Sequence, residues 1–293
     1  MSSEIFQIGG NQPHSLVKSA MPRDYALTKV GKVFEREVIR LIPAAGLASR
    51  LAPLPCSKEL YPVGFGSEQL GQRIYPKVIC QYLLEKMSLA GISKVYIILR
   101  EGKWDIPSYF GDGSLLGLNL AYLMMNLPYG VPFTLDQAYP FIQDAIVALG
   151  FPDIVFEPDD AYSKVFAHLA ARDNDVVLGL CPADSPQKVD MVELAEDGQI
   201  KRLVIKPQET NLYYSWAVAV WTPVFTDFMH EYLSTFKETA AQQPELFVGD
   251  VFNAAIQKGL KVEGVRISDK PYLDIGTGDD LLKGVKRCLA QME

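Results

Sequence analysis

The sequence predicts an α/β protein with a doubly wound, mostly parallel mixed sheet and helices on both faces. Short apolar strands alternate with amphipathic helices, which is typical of a parallel sheet covered on both sides. One βαβ unit combines a strand over 37–42, a helix that Tyr75-Pro76 opens and Ala90-Gly91 closes, and a strand over 94–99. A hairpin around Glu196-Asp197-Gly198 adds an antiparallel region at one edge.

The remaining elements continue this alternation. Further strands are expected over residues 119–125, 153–156, 175–180, 190–194, 200–205, 214–220 and 262–267, and further helices over 140–149, 161–171, 223–236, 247–259 and 279–292. Residues 1–36 contain Gly9-Gly10, Pro13 and Pro22, and we expect them to form an extension ahead of the fold. One domain is then expected over residues 37–293.

Composition narrows the classes of function. The chain has 293 residues, a formal net charge of −7 and no run of more than two basic residues, so we expect no nucleic-acid partner. No apolar run reaches the length of a membrane span, and the first residues lack the pattern of a signal peptide. The four cysteines are far apart in sequence and are expected to be free thiols. These features predict a cytoplasmic protein without a membrane partner.

The most informative segment follows the first strand. The apolar run ends in a loop of very small residues that carries an arginine, Ala44-Ala-Gly-Leu-Ala-Ser-Arg-Leu51. A lysine follows in Ser57-Lys-Glu-Leu-Tyr-Pro-Val63. Small side chains let the main chain approach a ligand, and two fixed cations neutralise phosphate charge. The pattern predicts a cradle for a nucleoside triphosphate.

Together these segments resemble the sugar-1-phosphate nucleotidyltransferases, the group of glucose-1-phosphate thymidylyltransferase and UTP–glucose-1-phosphate uridylyltransferase. The resemblance covers about residues 38–290 and implies a fold like that of nucleotide-diphospho-sugar transferases. It implies that Arg50 and Lys58 are catalytic, gripping the phosphates and stabilising the transition state. The nucleotide-binding residues that it implies are Ala44, Ala45, Gly46 and, in Thr134-Leu-Asp-Gln-Ala138, Gln137.

The resemblance also implies a metal site and an acceptor site. Phe151-Pro-Asp-Ile-Val-Phe156 and Tyr272-Leu-Asp-Ile-Gly-Thr277 resemble the segments that hold the family's metal ligands, which gives Asp153 and Asp274 as ligands of Mg²⁺. Two further matches give acceptor-binding residues: Lys206 in Val204-Ile-Lys-Pro207 would hold the acceptor phosphate, and Glu245 would meet sugar hydroxyls. The domain then divides into a nucleotide-binding half, about 37–155, and an acceptor-binding half, about 156–293.

Several positions depart from the family pattern. Ala45 and Ala48 stand where glycines are usual, and a Cβ there would narrow the cradle or require a negative φ. Elsewhere Pro152 replaces a glycine, Ile205 a carboxylate, Val189-Asp190 a Tyr-Gly pair, and Ala217 or Ala219 a glycine. The triphosphate half is thus closer to the pattern than the sugar half is.

These observations predict an enzyme that joins a nucleoside triphosphate, UTP or dTTP, to a sugar 1-phosphate with Mg²⁺ and releases pyrophosphate. The departures leave open a non-catalytic nucleotide sensor on the same fold. A glycosyltransferase that uses nucleotide sugars ranks last, because the only Asp-x-Asp triplet, Asp173-Asn-Asp175, precedes a strand instead of following one. The sugar and the base stay open, as does assembly into a homo-oligomer.

Overall fold

The computed structural model describes residues 34–67, 74–125, 129–236 and 245–290. Most of the expected N-terminal extension and the end of the expected last helix lie outside these ranges. The described strands are β1 (Val38–Pro43), β2 (Pro62–Ser67), β3 (Ile74–Val78), β4 (Lys94–Arg100), β5 (Asn119–Met125), β6 (Ile146–Gly150), β7 (Ile154–Val155), β8 (Val176–Pro182), β9 (Met191–Leu194), β10 (Ile200–Val204), β11 (Tyr214–Trp221), β12 (Val262–Arg266) and β13 (Leu273–Asp274). The described helices are α1 (Ile79–Leu89), α2 (Asp105–Phe110), α3 (Val131–Asp136), α4 (Tyr139–Ile142), α5 (Ala161–Ala171), α6 (Pro223–Ser234), α7 (Val248–Lys258) and α8 (Gly278–Ala290).

Within the described residues, nine strands form one mixed sheet. Strands β5, β4, β1 and β6 lie side by side and are parallel. Strand β11 is antiparallel to β6 and to β8, and β12 is parallel to β8. The predicted hairpin is present as β9 and β10, and β9 also pairs with the start of β11.

Two apolar layers cover the sheet, one on each face. In β1, Ile39 and Leu41 face one layer and Ile42 faces the other, as alternation along a strand requires. Helices α1 and α5 supply the layer that contains Ile42, and α3, α6 and α7 supply the opposite layer. Strand β6 is buried along its whole length, as expected for a central strand that is covered on both faces. The predicted doubly wound architecture is confirmed.

Two local predictions were wrong. Tyr75-Pro76 does not open a helix but belongs to β3, which pairs with β2 as a separate antiparallel ribbon, and α1 begins at Ile79. A residue before proline avoids the α conformation, which favours the extended structure of Tyr75. Residues 146–150 form β6, and only 140–142 of the expected helix 140–149 are helical. A strand buried on both faces has the continuous apolar pattern of a buried helix.

The other predicted elements lie close to their expected positions. Helix α5 and strand β5 have the predicted bounds, and the remaining predicted helices and strands shift at their ends by a few residues. Helices α2 and α3 and strand β13 were not expected from the sequence. No described helix is both long and apolar enough to cross a bilayer. In an open α/β sheet, ligands bind beyond the carboxyl ends of the strands. That edge holds the loops after β1, β4 and β6, which contain most of the predicted nucleotide site.

Candidate active site

A short antiparallel pairing brings the two predicted metal ligands together. Strand β7 follows β6 directly, and its Ile154 pairs with Asp274 of β13. The Ile275 N–H donates to the carbonyl of Asp153 at 2.9 Å. Asp153 and Asp274 therefore lie side by side, although they are far apart in sequence.

Lys58 joins this carboxylate pair. Its ammonium forms an ion pair with Asp153, and the two side chains are only 16% and 17% exposed. Burial alone would lower the pKa of Lys58, but the charge of Asp153 and the hydrogen bond to it outweigh burial and raise the pKa. Lys58 is thus a fixed cation at the edge of the site.

Of the two carboxylates, Asp274 has fewer hydrogen-bonding and ionic partners. Within the described residues its side chain has no hydrogen bond or ion pair, whereas Asp153 is held by Lys58. Burial and the nearby charge of Asp153 raise the pKa of Asp274 to about 6, and Lys58 and Arg50 partly offset this. Two carboxylates in one partly buried site favour binding of a cation.

Arg50 reaches the same site from the loop after β1. A Cβ built on Gly276 would lie 3.0 Å from Arg50 Nη2, so the guanidinium lies over the backbone that follows Asp274. Arg50 itself is exposed. The structure thus brings Arg50, Lys58, Asp153 and Asp274 into one cluster at the carboxyl edge of the sheet.

The small-residue loop is anchored at its start and open further along. The Ala44 N–H donates to the Ile98 carbonyl at 2.8 Å, and Ala44 and Ala45 are buried. Gly46 is exposed, and a Cβ built there would have no atom within 4 Å. Ala48 has a φ of 53°, so this alanine adopts the left-handed conformation of a glycine, and a negative φ is not required. The loop keeps an open backbone despite its alanines.

Within the described residues, no contact connects Gln137 to this cluster. It ends helix α3, is exposed, and its side chain makes no hydrogen bond within the described residues. The neighbouring Asp136 is buried and forms a 2.7 Å contact with His230 Nδ1 on α6. The assignment of Gln137 to the nucleotide site stays a prediction.

Lys206 belongs to a second group, in the half of the chain that is expected to bind the acceptor. It has a φ of 41°, a strained conformation for a residue with a side chain. Its Nζ lies 3.8 Å from the centroid of the Phe247 ring, a cation–π contact. Glu245 is exposed, and its Cγ lies 3.5 Å from a Cβ built on Gly130. The roles of Lys206 and Glu245 toward an acceptor stay predictions.

Asp190 faces Lys206 and was not among the expected site residues. Burial raises its pKa to about 6, against the lowering effect of Lys206, a hydrogen bond from Trp216 and one from the Gly249 N–H. A Cβ built on Gly249 would lie 2.7 Å from Asp190 Oδ2, so the close approach requires glycine. One feature of the sequence could have pointed to this residue: Asp190 stands where the family pattern has a glycine.

A cleft opens beside Asp274. It is shallow and lies between the end of β8, Tyr272 and the start of α8. Lys188 and Lys283 line it, and Lys188 Nζ donates to Asp280 Oδ1 at 2.9 Å. Of the four cluster residues, Asp274 lines this cleft. No group of three or more metal-binding side chains occurs among the described residues, so a cation here would also need ligands from substrate or water.

A doubly wound sheet with cations and carboxylates beyond its carboxyl edge is typical of α/β proteins that bind nucleotides. The family model described as Nucleotidyl transferase matches residues 39–291, and the chain belongs to this family. Glucose-1-phosphate thymidylyltransferase from Streptomyces griseus is 28% identical over 247 residues, which are 83% of this chain and 64% of that protein. The low-salt glycan biosynthesis nucleotidyltransferase of Haloferax volcanii is 22% identical over 245 residues, which are 82% and 63% of the two chains. The chain spans less than two thirds of the length of these two relatives.

Solved structures show the same fold. A protein from Bacillus anthracis assigned as a glucose-1-phosphate thymidylyltransferase, in complex with sucrose, matches with a TM-score of 0.70 and 20% identity over 86% of this chain and 95% of that one. The inositol-1-phosphate CTP transferase from T. maritima matches with a TM-score of 0.65 and 17% identity, over 86% and 97% of the two chains. These matches confirm the predicted nucleotide-diphospho-sugar transferase type of fold.

Proposed function

We propose that this protein is a sugar-phosphate nucleotidyltransferase that joins UTP or dTTP to a sugar 1-phosphate in a Mg²⁺-dependent reaction. The observation that carries the proposal is the cluster of Arg50, Lys58, Asp153 and Asp274 beyond the carboxyl edge of the sheet. Two cations and two carboxylates suit a triphosphate with its metal ion. The names of the relatives support the same class of reaction.

The side chains supply position and charge. An oxygen of the acceptor phosphate attacks the α-phosphorus of the triphosphate, and the bond to the leaving pyrophosphate breaks. Arg50 and Lys58 neutralise the negative charge on the transferring and leaving phosphates. Lys206 holds the acceptor phosphate in line with its target. The acceptor oxygen is already ionised at neutral pH, so the reaction needs no general base.

The carboxylate pair fits Mg²⁺. Asp153 and Asp274 are adjacent, and among the described residues the Asp274 side chain has no partner. These two residues would hold the ion, whose remaining ligands are phosphate oxygens and water. Bound Mg²⁺ would supply Lewis-acid stabilisation of charge on the phosphates. Lys58, which holds Asp153, keeps that carboxylate at the edge of the site.

The test is a matrix of activity assays. The protein is incubated with Mg²⁺, each nucleoside triphosphate and a panel of sugar 1-phosphates, and pyrophosphate release is measured. We expect turnover with UTP or dTTP and at least one sugar phosphate. No turnover with any pair, with the metal ion varied, would contradict the proposal.

The packing around Lys206 favours a second candidate function, that of a nucleotide sensor without transfer activity. Asp190 is packed against Gly249, and Lys206 lies on the Phe247 ring, so the space near Lys206 is partly filled by the chain itself. A sensor would bind a nucleoside triphosphate without consuming it and would bind no sugar phosphate. Thermal-shift titrations with both ligand classes distinguish the two functions.

A further inference from the structure

A buried ion pair lies directly behind Lys58. Residues 58–60 form one 3-10 turn, in which Lys58 reaches Asp153 and the next residue, Glu59, points inward. The Lys103 ammonium donates to Glu59 Oε1 at 2.6 Å. Only 1% of Glu59 and 4% of Lys103 is exposed. The pair is therefore part of the interior and adjoins the cluster.

Stability alone does not account for this pair. A buried ion pair is often no more stabilising than apolar side chains of similar volume, because both charges lose their hydration. The second oxygen of Glu59, Oε2, is buried and has no hydrogen-bond partner among the described residues. An incompletely satisfied buried carboxylate is unusual in native proteins and calls for a specific reason.

The same segment also holds the residue before Lys58. Asp105, the first residue of α2, accepts a hydrogen bond from the Ser57 N–H at 2.6 Å and another from Ser57 Oγ at 2.7 Å. Residues 103–105 follow β4 at the carboxyl edge of the sheet. Both neighbours of Lys58 in the chain, Ser57 and Glu59, are thus tied by charge-assisted hydrogen bonds to one short segment, residues 103–105.

We propose that Glu59 and Lys103 are positioning residues that hold the Lys58 turn in its productive place. This inference rests on the proposed role of Lys58 in phosphoryl transfer. An apolar pair would fill the same space, but hydrophobic contact has no preferred direction, whereas a charge-assisted hydrogen bond does. Small displacements of a catalytic group reduce the rate strongly, so direction matters here more than stability.

The first test measures the turn itself and does not depend on activity. In the Glu59→Met/Lys103→Met variant, we expect the amides of Leu60 and Tyr61 to exchange hydrogen at least ~10-fold faster, with exchange in β4 unchanged. In the native turn these amides donate to the Ser57 and Lys58 carbonyls at 2.9 and 3.1 Å. Unchanged exchange at both amides overturns the proposal, and so does faster exchange across the whole protein.

The second test separates position from stability by kinetics. For Glu59→Met/Lys103→Met we expect kcat to fall roughly 10- to 100-fold, with KM for the sugar phosphate within about twofold of wild type and Tm unchanged. Lys103→Arg keeps the charged hydrogen bond and should retain most of the activity. The matched control is Glu193→Met/Arg202→Met, which removes an exposed pair on the β9–β10 hairpin.

The outcomes of these tests separate two hypotheses. A normal kcat in Glu59→Met/Lys103→Met, or a loss of activity only in proportion to unfolded protein, overturns the positioning role. A wild-type protein without turnover on any substrate pair contradicts the proposed function. In that case, the exchange of the Leu60 and Tyr61 amides still decides whether the pair holds the turn.

Discussion

The guanidinium of Arg50 lies over Gly276, where a Cβ would be only 3.0 Å from Nη2. Arg50 comes from the loop after β1, and Gly276 follows Asp274 at the end of β13. The position of the Arg50 guanidinium thus depends on the absence of a side chain at Gly276, which is more than 220 residues later in the chain.

Gly276→Ala should therefore impair the reaction without unfolding the protein. The added methyl group meets the flexible end of Arg50, which can move away at little cost in stability. We expect kcat to fall roughly tenfold, because a displaced cation stabilises the transition state less well. Pyrophosphate release and Tm are measured together. Gly278→Ala is the control, because a Cβ at Gly278 would have no atom within 4 Å.

Asp274→Ala tests the metal site. Removing one of the two carboxylates should reduce activity roughly a hundredfold or more, because this is the usual effect of removing one group that stabilises transition-state charge. The fold should remain intact. Steady-state rates over a Mg²⁺ titration and a thermal melt check this. Near-normal activity would mean that Asp274 only serves the turn after β13.

Lys206→Ala and Arg50→Ala should have different kinetic effects. A charged contact to phosphate contributes about 1.5–3 kcal/mol, so loss of Lys206 should raise KM for the sugar phosphate at least about tenfold. Loss of Arg50 should mainly lower kcat, because its contact strengthens as charge builds on the transferring phosphate. Equal damage to triphosphate binding by both variants would contradict the division into two halves.

Asp190 should make stability depend on pH. Its pKa rises from 3.8 to about 6 in the folded protein, so the folded state binds the proton more tightly than the unfolded state. Its contribution to stability is therefore lost as pH rises from about 4 through 6. Asp190→Asn cannot ionise, so its stability relative to wild type should be greater at pH 8 than at pH 4, by about 2–3 kcal/mol. Urea unfolding at both pH values measures this, and an equal difference at both would refute it.

Arg40 should be replaceable with a gain in stability. It lies in β1 with 0% exposure, and among the described residues its three guanidinium nitrogens have no hydrogen-bond partner. Burial lowers its pKa well below the usual value. Arg40→Met removes an unpaired buried charge and should raise the free energy of unfolding by about 1 kcal/mol or more. Arg202→Met, at an exposed position, should be nearly neutral, and a loss of stability in Arg40→Met would show that Arg40 has an unrecognised role.

The sequence was most informative where side chains follow a regular period or a short motif. The longer helices and the hairpin were predicted because burial on one face leaves a repeating pattern, as in α5, whereas the six-residue helices α2 and α3 were not. The segment 146–150 was mistaken for helix because burial on both faces removes the pattern. The ribbon of β2 and β3 was missed because its pairing is set by the partner strand, while Tyr75-Pro76 also suits a helix start.

The candidate site was predicted in the same uneven way. Lys58, Asp153 and Asp274 were placed through resemblance to family motifs, and the structure brings them together. The Glu59–Lys103 pair was missed, because two charged residues 44 positions apart give no sign in the sequence that both are buried. Only the fold, which sets Lys103 behind the turn, makes that pairing visible.

The pairing of β7 with β13 also has a consequence for synthesis of the protein. The closeness of Asp153 and Asp274 depends on the pairing of β7 with β13, in which each strand has only two residues. This pairing closes a loop that contains most of the chain after residue 155. A ribbon this short has too few contacts to form alone, and closing a long loop costs entropy before the contacts form. The proposed reaction centre can therefore assemble only after the intervening chain has folded. A ribosome-bound chain that ends before residue 273 should carry every cation of the nucleotide half and yet remain inactive.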